Sequence, residues 1–156
     1  MLDLMRARVI PALLVVLATV GTASARITAA WTYQQMYDKA DLVVIAYGMW
    51  TKDTAERTTL NDLEPHVPVI GVVSEFKTSL VLKGPRDTGT FQLHHYRFAS
   101  AHDQLAANSP DLVRLSEAHL PFLMFLVKEP DGRYAPVTGQ TDPASHSVIE
   151  LKGAAE

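Results

Sequence analysis

The sequence predicts a mainly β protein, a small five-stranded antiparallel barrel with a short N-terminal helix and a helical insert between strands 3 and 4. Apolar runs rich in β-branched and aromatic residues recur along the chain, at 42–47, 66–82, 90–98, 121–127 and 133–137. Clusters of turn residues separate several of these runs, as in small sandwiches and barrels. The stretch 99–117 has no strand pattern, and an insert at that position is the layout of an OB-like barrel. A β-sandwich with a helical loop is the competing interpretation.

Residues 1–25 have the three-part layout of a secretory signal peptide. Arg6 and Arg8 supply positive charge, Ile10–Val20 is apolar, and Ala23–Ala25 has the small-x-small pattern of a cleavage site. The alternative, a retained membrane anchor, requires about 20 strongly apolar residues, which this stretch does not supply. We therefore expect cleavage after Ala25, leaving a single exported domain over 26–156 that is periplasmic or secreted.

Composition excludes several classes of protein. The chain has 156 residues, with 14 Lys and Arg against 17 Asp and Glu, and its net charge of −3 argues against a strongly basic nucleic-acid binder. Hydrophobic residues make up 47% and charged residues 20%, so the chain is not a disordered tail. Cysteine is absent, which excludes disulfides, zinc–thiolate sites and thiol catalysis.

The first elements are a helix and a strand. Thr32 and Gln35 match a capping box, and Tyr33–Ala40 has helical spacing of its apolar residues, so we expect a short helix there. The continuous apolar run Leu42–Tyr47 predicts a buried strand. Thr51–Pro65 is polar and is predicted to be a long exposed loop.

The second and third strands are predicted to form a hairpin. His66–Leu82 is a long β region that we expect to bend or break near Lys77–Ser79, and Lys83–Gly89 is dense in turn residues. Within the strand Thr90–Phe98, Phe91 and Leu93 have one parity, whereas Tyr96 and Phe98 have the other. Because both pairs are apolar, we expect a β-bulge at His94–His95 that shifts the register between them.

The second half of the chain is predicted to begin with the insert. Ser100 can cap a short helix that runs to Ala107, and Asp111–Leu115 can add a further turn. Pro121–Val127 is the most apolar strand, and the turn Glu129–Gly132 leads into a return strand over Arg133–Val137. Val148–Leu151 is one last apolar segment.

Three phrases carry a resemblance to a known family. They are KADLVVIA at Lys39–Ala46, VLKG at Val81–Gly84 and PFLMFL at Pro121–Leu126. In this order they resemble small exported bacterial proteins that are similar to the netrin-type, tissue-inhibitor-of-metalloproteinases-like OB barrels. The resemblance implies the fold more than a function. Those inhibitors act through an N-terminal Cys that ligates zinc, and because this chain has no Cys and a predicted mature N-terminus at Arg26, that mechanism is excluded.

His94, His95, Tyr96 and Arg97 are the predicted binding residues. Adjacent residues of a regular strand point to opposite faces, so only a bulge would bring both imidazoles to one ligand. The alternative is that one histidine is half-buried and the other is solvated. OB barrels bind across the face of strands 2 and 3, which here corresponds to Val69–Phe76, Phe91–Arg97 and the loop Thr51–Pro65.

Two other groups of residues suggest a ligand without specifying one. The six histidines are at positions 66, 94, 95, 102, 119 and 146. With Asp103 or Glu117 they would suit zinc or copper, although none has the spacing of a strong metal site. An aromatic group near the first helix is either a surface for sugars or peptides or ordinary core packing. Its members are Trp31, Tyr33, Tyr37, Tyr47 and Trp50.

The sequence contains neither a G-x-S-x-G motif nor a P-loop, and its S-x-x-K match, Ser74–Lys77, falls inside the predicted β region His66–Leu82. We therefore expect an exported, non-enzymatic binding module that needs no cofactor. Its partner is an unknown protein or small ligand, without nucleic acid and without membrane after signal cleavage, and the module is expected to be a monomer. The alternative is a periplasmic zinc- or copper-binding protein that uses the histidines.

Overall fold

The computed structural model describes residues 31–60, 67–101, 112–116, 120–139 and 146–152. The described elements are α1 (Tyr33–Lys39), β1 (Leu42–Leu60), β2 (Val67–Lys83), β3 (Thr90–Phe98), β4 (Pro121–Lys128), β5 (Tyr134–Pro136) and β6 (Val148–Glu150). The predicted signal peptide, 1–25, lies outside the described residues. Within the described part of the chain, no helix is long and apolar enough to cross a membrane.

Five of the strands close into a ring. β1 pairs with β2, β2 with β3, β3 with β5, β5 with β4, and β4 returns to β1. These pairings are antiparallel except for the contact of β3 with β5, where Leu93 lies opposite Tyr134 in parallel. β6 pairs with β4 beside β5, so the described chain has six strands rather than the predicted five. The mainly β prediction is confirmed.

Helix α1 forms for the local reason that the sequence indicates. The Thr32 hydroxyl accepts a hydrogen bond from the Gln35 backbone N–H at 3.2 Å, and the Gln35 side chain accepts one from the Thr32 N–H at 2.8 Å. This capping box satisfies two of the N–H groups that a helix start leaves unpaired. Met36 is fully buried and packs with Val43 and Phe125, which fixes the helix against the ring.

β1 is much longer than predicted. The apolar half over Leu42–Tyr47 pairs with both β2 and β4. The prediction of an exposed loop is wrong over Thr51–Leu60, because this polar segment continues the strand and pairs with β2. Residues 61–65 lie outside the described residues. The strand character of Thr51–Leu60 depends on backbone hydrogen bonds to β2 and not on apolar side chains.

β2 runs without a break, and of the predicted alternatives near Lys77–Ser79, a bend or a break, the structure has an irregularity of the kind that bends a strand. Ile45 lies opposite Leu80 and Ala46 lies opposite Thr78, which leaves Ser79 as an extra residue on β2. A bulge of this kind bends a strand and increases its twist. The irregular pairing with β1 therefore supplies the curvature that the ring requires.

The interior of the ring is filled by side chains of β1 to β4. Phe76 stacks on Phe91 with ring centroids 5.6 Å apart and meets Phe122 edge-on at 6.0 Å. The other buried members include Leu42, Val44, Ala46, Leu93, Met124 and Leu126. Aromatic and aliphatic packing of this density makes the ring a rigid frame for the residues on its rim.

The second half of the chain agrees with most of its predictions. β4, the turn after it and the return strand β5 are confirmed, and β6 falls within the last apolar segment. Residues 102–111 and 117–119, which hold most of the predicted helical insert, lie outside the described residues. Leu112–Ser116 are described and form neither helix nor strand, so the further helical turn predicted over Asp111–Leu115 is wrong there. Leu112 and Val113 are buried nonetheless, which anchors this segment on the ring.

Candidate functional site

β3 is a regular strand, so the bulge predicted at His94–His95 is wrong. Its pairing with β2 runs unshifted from Val69 opposite Phe98 to Lys77 opposite Thr90. No register shift is needed because both faces of β3 are covered. His95 shares the core face with Phe91 and Leu93, whereas His94 and Tyr96 lie on the other face, where two carboxylates cover them.

His94 lies between two glutamates. Its Nε2 is 3.0 Å from Glu56 Oε2, and its Nδ1 is 3.0 Å from Glu129 Oε2. Ionised carboxylates only accept hydrogen bonds, so both contacts form together when both ring nitrogens carry hydrogen. The His94 side chain is 6% exposed, which removes most of the competing water. The imidazole thereby ties β1 and the turn after β4 to β3.

Glu56 reaches His94 because β1 bulges opposite Gly71. Asp53 pairs with Val72 and Arg57 pairs with Ile70, so three residues of β1 face this one glycine. A Cβ at Gly71 would lie 2.8 Å from Glu56 Oε2, closer than real contacts allow. The absence of a side chain at this position therefore permits the bulge that places the carboxylate over β3.

The outer members of this cluster complete its hydrogen bonds. The Tyr96 hydroxyl donates to Glu56 Oε1 at 2.5 Å, and Arg133 Nε lies 3.8 Å from Glu129 Oε2. Burial raises the pKa of Tyr96 to about 12, and the hydrogen bond to Glu56 acts in the same direction. Because each polar group already has a partner in the protein, the cluster acts as a structural clamp. We call it the His94 clamp, defined by Glu56, His94, Tyr96, Glu129 and Arg133.

His95 belongs to a separate chain of hydrogen bonds inside the ring. Its Nε2 is 2.9 Å from Ser74 Oγ, and Ser74 Oγ is 2.7 Å from Thr51 Oγ1. Burial lowers the pKa of His95 to about 4, the nearby His94 acts in the same direction, and a backbone contact with Tyr96 opposes it in part. The remaining nitrogen, Nδ1, makes no hydrogen bond of normal geometry with the described residues. His95 is therefore a neutral imidazole.

The spacing of Ser74 and His95 is that of a nucleophile and its general base, but the rest of a catalytic site is missing here. Ser74 is 1% exposed and His95 is 4% exposed, so a substrate does not reach the hydroxyl. A catalytic base is oriented by a third group, whereas Nδ1 of His95 has no such partner among the described residues. The pair is enclosed by the ring, with Ser74 and His95 both buried.

Arg97 is the exposed member of the predicted binding residues. Its guanidinium pairs with both carboxylate oxygens of Asp53 and also donates to the Phe98 carbonyl at 3.0 Å. The hydrogen bond from Arg97 holds the pKa of Asp53 below its usual range. Arg97 is thus fixed in place on β3, at the end of the strand away from the β2–β3 turn.

A cavity of about 330 Å³ opens beside the end of β3. Tyr96 and Arg97, two of the four predicted binding residues, line it, while His94 and His95 are not among its described lining residues. The other described lining residues are Phe98, Ala99, Ser100, Ala101, Leu112, Val113 and Arg114. The sequence prediction missed 112–114, for which the only signal was an apolar pair followed by an arginine in a polar insert.

A groove of about 340 Å³ lies on another part of the surface, between α1 and the ring. Tyr33 and Tyr37 line it, so two of the five aromatic residues that the sequence singled out share one surface. The remaining lining residues are Gln34, Val43, Leu82, Leu123 and Phe125. Its lining is almost entirely apolar and presents no charged side chain among the described residues.

The histidines do not assemble a metal site in the part of the chain that the structure describes. No group of three or more His, Asp or Glu side chains there is arranged to hold an ion. His94 has both nitrogens on carboxylates, and His146 lies beside Tyr33. His66, His102 and His119, with Asp103 and Glu117, lie outside the described residues.

Comparisons with models of protein families, with curated proteins and with solved structures give no match.

Proposed function

We propose that the chain is an exported, non-enzymatic binding module, an OB-like barrel that holds a small ligand in the cavity beside the end of β3. The order of the ring supports the OB-like assignment, since β1 pairs with both β2 and β4 and β5 joins β3 to β4. The phrases at Lys39–Ala46, Val81–Gly84 and Pro121–Leu126, which resemble netrin-type domains, supply β1, β2 and β4 of that ring.

The cavity is the observation that carries this proposal. Its volume of about 330 Å³ falls at the lower end of the range of small-molecule pockets, roughly 300–1,000 Å³. Apolar surface from Phe98, Ala99 and Ala101 combines with a few polar groups from Tyr96 and two arginines. Such a mixture lets apolar contact supply affinity while polar groups fix the orientation of the ligand.

The rigidity of the frame favours binding at this position. Tyr96 is held by the His94 clamp, and Arg97 is held by Asp53. Both side chains are therefore in place before a ligand arrives, which reduces the entropy that binding must overcome. The residues that the sequence predicted as direct ligand contacts thus divide into two roles, with His94 supporting and Tyr96 and Arg97 lining the cavity.

A ligand-observed NMR screen tests the proposal. Saturation-transfer spectra of a small-molecule library, recorded with protein purified after expression of the full chain, are expected to reveal weak binders. The variant Ala101→Trp fills the cavity from its exposed rim and should abolish their signals. Ser79→Trp places the same side chain on exposed β2, far along the chain from the lining residues, and should leave the signals unchanged. An empty screen, or binders that ignore Ala101→Trp, would contradict the proposal.

Export is tested separately. A bacterial host that expresses the full chain should release a product whose N-terminus is Arg26 into the periplasm or medium. A product that retains Met1 and stays with the membrane fraction would show that residues 1–25 are an anchor instead of a cleaved signal.

A further inference from the structure

We propose that the ligand of the β3 cavity is a small amphipathic anion, with a carboxylate or phosphate head on Arg114 and a short apolar body against Phe98, Ala99 and Ala101. This inference rests on the proposed function, because it names the chemical class that the same cavity selects.

The described lining residues of the cavity carry a net positive charge after the ion pair of Arg97 with Asp53 is taken into account. Arg97 is neutralised by Asp53, with which it forms a two-pronged ion pair. Arg114 is exposed and makes no hydrogen bond or ion pair with any described residue. None of the described lining residues is Asp or Glu. Among the described lining residues, Arg114 therefore carries the one positive charge that has no carboxylate partner, although the chain as a whole is negative.

A guanidinium in this position selects for planar or tetrahedral oxyanions. Its forked N–H donors match a carboxylate or phosphate with two parallel hydrogen bonds, which are stronger than hydrogen bonds between neutral groups. Three of the five N–H donors of Arg97 already bind Asp53 and the Phe98 carbonyl. Its two remaining donors add to the preference for an anion, while the two parallel hydrogen bonds to the head group come from Arg114. Arg114 is the residue that is free to move onto the ligand.

The remainder of the cavity requires an apolar body. Leu112 and Val113 are 3% and 7% exposed, so they hold this wall on the ring and leave little side-chain surface for a ligand. Phe98, Ala99 and Ala101 add carbon surface on the side of β3. A free inorganic anion would leave these walls without contact, whereas a short alkyl or aryl chain would cover them and gain from leaving water. The cavity volume of about 330 Å³ limits the ligand to a small molecule and excludes a polymer.

Affinities for three matched probes test the proposal. Octanoate, octyl phosphate and octanol share one alkyl chain and differ only in the head group. Titration calorimetry or NMR should give at least about tenfold tighter binding of one anion than of octanol, as a charge-assisted hydrogen bond implies. Tighter binding of octanoate than of octyl phosphate, or the reverse, shows whether the cavity prefers a carboxylate or a phosphate head group.

Variants of Arg114 assign the preference to that residue. Arg114→Gln should reduce the affinity for the preferred anion about tenfold and leave the affinity for octanol unchanged, and Arg114→Lys should retain part of the preference. Arg86→Gln removes an exposed arginine from the β2–β3 turn and serves as the matched control. An anion preference that persists in Arg114→Gln would overturn the role of this residue.

The outcomes separate this inference from the proposed function. If octanol binds as tightly as both anions, the cavity binds ligands but the inference about charge is wrong. If none of the probes binds and the small-molecule screen is also empty, both the inference and the proposed function fail.

Discussion

Removal of the imidazole from the His94 clamp should cost much more stability than removal of an ordinary exposed histidine. His94→Leu keeps an apolar side chain of comparable size in the buried position but leaves Glu56 and Glu129 facing each other without a donor between them. The variant thus removes two hydrogen bonds to carboxylates at one site.

The magnitude follows from the two contacts and from the exposure of the carboxylates. A hydrogen bond to a charged group contributes about 1.5–3 kcal/mol when its partner stays buried. The Glu56 and Glu129 side chains are 37% and 23% exposed, so water recovers part of the loss. We therefore expect the free energy of unfolding to fall by about 2–4 kcal/mol for His94→Leu.

Urea unfolding followed by circular dichroism measures this loss. With a typical slope of about 2 kcal/mol per molar urea, the midpoint should fall by roughly 1–2 M. The same substitution in a Glu56→Gln, Glu129→Gln background should cost less than half as much, because neutral amides need no counter-charge. A loss under about 1 kcal/mol, or an equal loss in both backgrounds, would refute the account of the clamp as a charge-assisted contact.

Three further predictions concern neighbouring residues. The folded pKa of His95, about 4, lies below the ordinary 6.5, so the unfolded chain takes up a proton that the folded chain excludes, and stability falls as the pH drops from 6.5 towards 4. Between pH 7 and pH 5, wild type should lose about 2 kcal/mol more than His95→Gln in parallel urea titrations, and equal losses would contradict a buried neutral imidazole. Gly71→Ala should displace the β1 bulge and lower the urea midpoint, whereas Gly89→Ala, where an added Cβ meets nothing, should not. Tyr96→Phe should remove a component that ionises near pH 12 from the ultraviolet titration, and loss of a component near pH 10 instead would show that Tyr96 is neither buried nor held by Glu56.

The helix and the turns were predictable because their signals are local. The capping box of Thr32 and Gln35 and the turn residues of 83–89 act within a few positions of themselves, and the structure forms both where the sequence indicates. The apolar strands β2 and β4 were predictable for the related reason that burial on a sheet favours β-branched and aromatic residues.

The second half of β1 was not predictable from its own residues. Thr51–Leu60 is polar, and its strand conformation depends on pairing with the following strand β2, which its own side chains do not signal. The error at β3 has the same origin. The parity of Phe91 and Tyr96 indicated a register shift only on the assumption that one face of the strand is buried, whereas Glu56 and Glu129 arrive from other elements to cover the second face.

The candidate site was predictable in part. The polar cluster His94–Arg97 lies on the strand whose end borders the cavity, and Tyr96 and Arg97 line that cavity. Arg114 carried no pattern that separates a ligand-binding arginine from a solvated one. Its position on the wall of the same cavity as Arg97 depends on Leu112 and Val113, whose burial against the ring is a tertiary contact.

The location of ligand binding tests the central claim most directly. In a ¹H–¹⁵N correlation spectrum of the isotope-labelled protein, added octanoate should shift the amide signals of 96–101 and 112–114 and leave those of Tyr33, Tyr37 and Leu82 in place. Shifts confined to the apolar groove beside α1, or no shifts at all, would contradict a binding site at the end of β3.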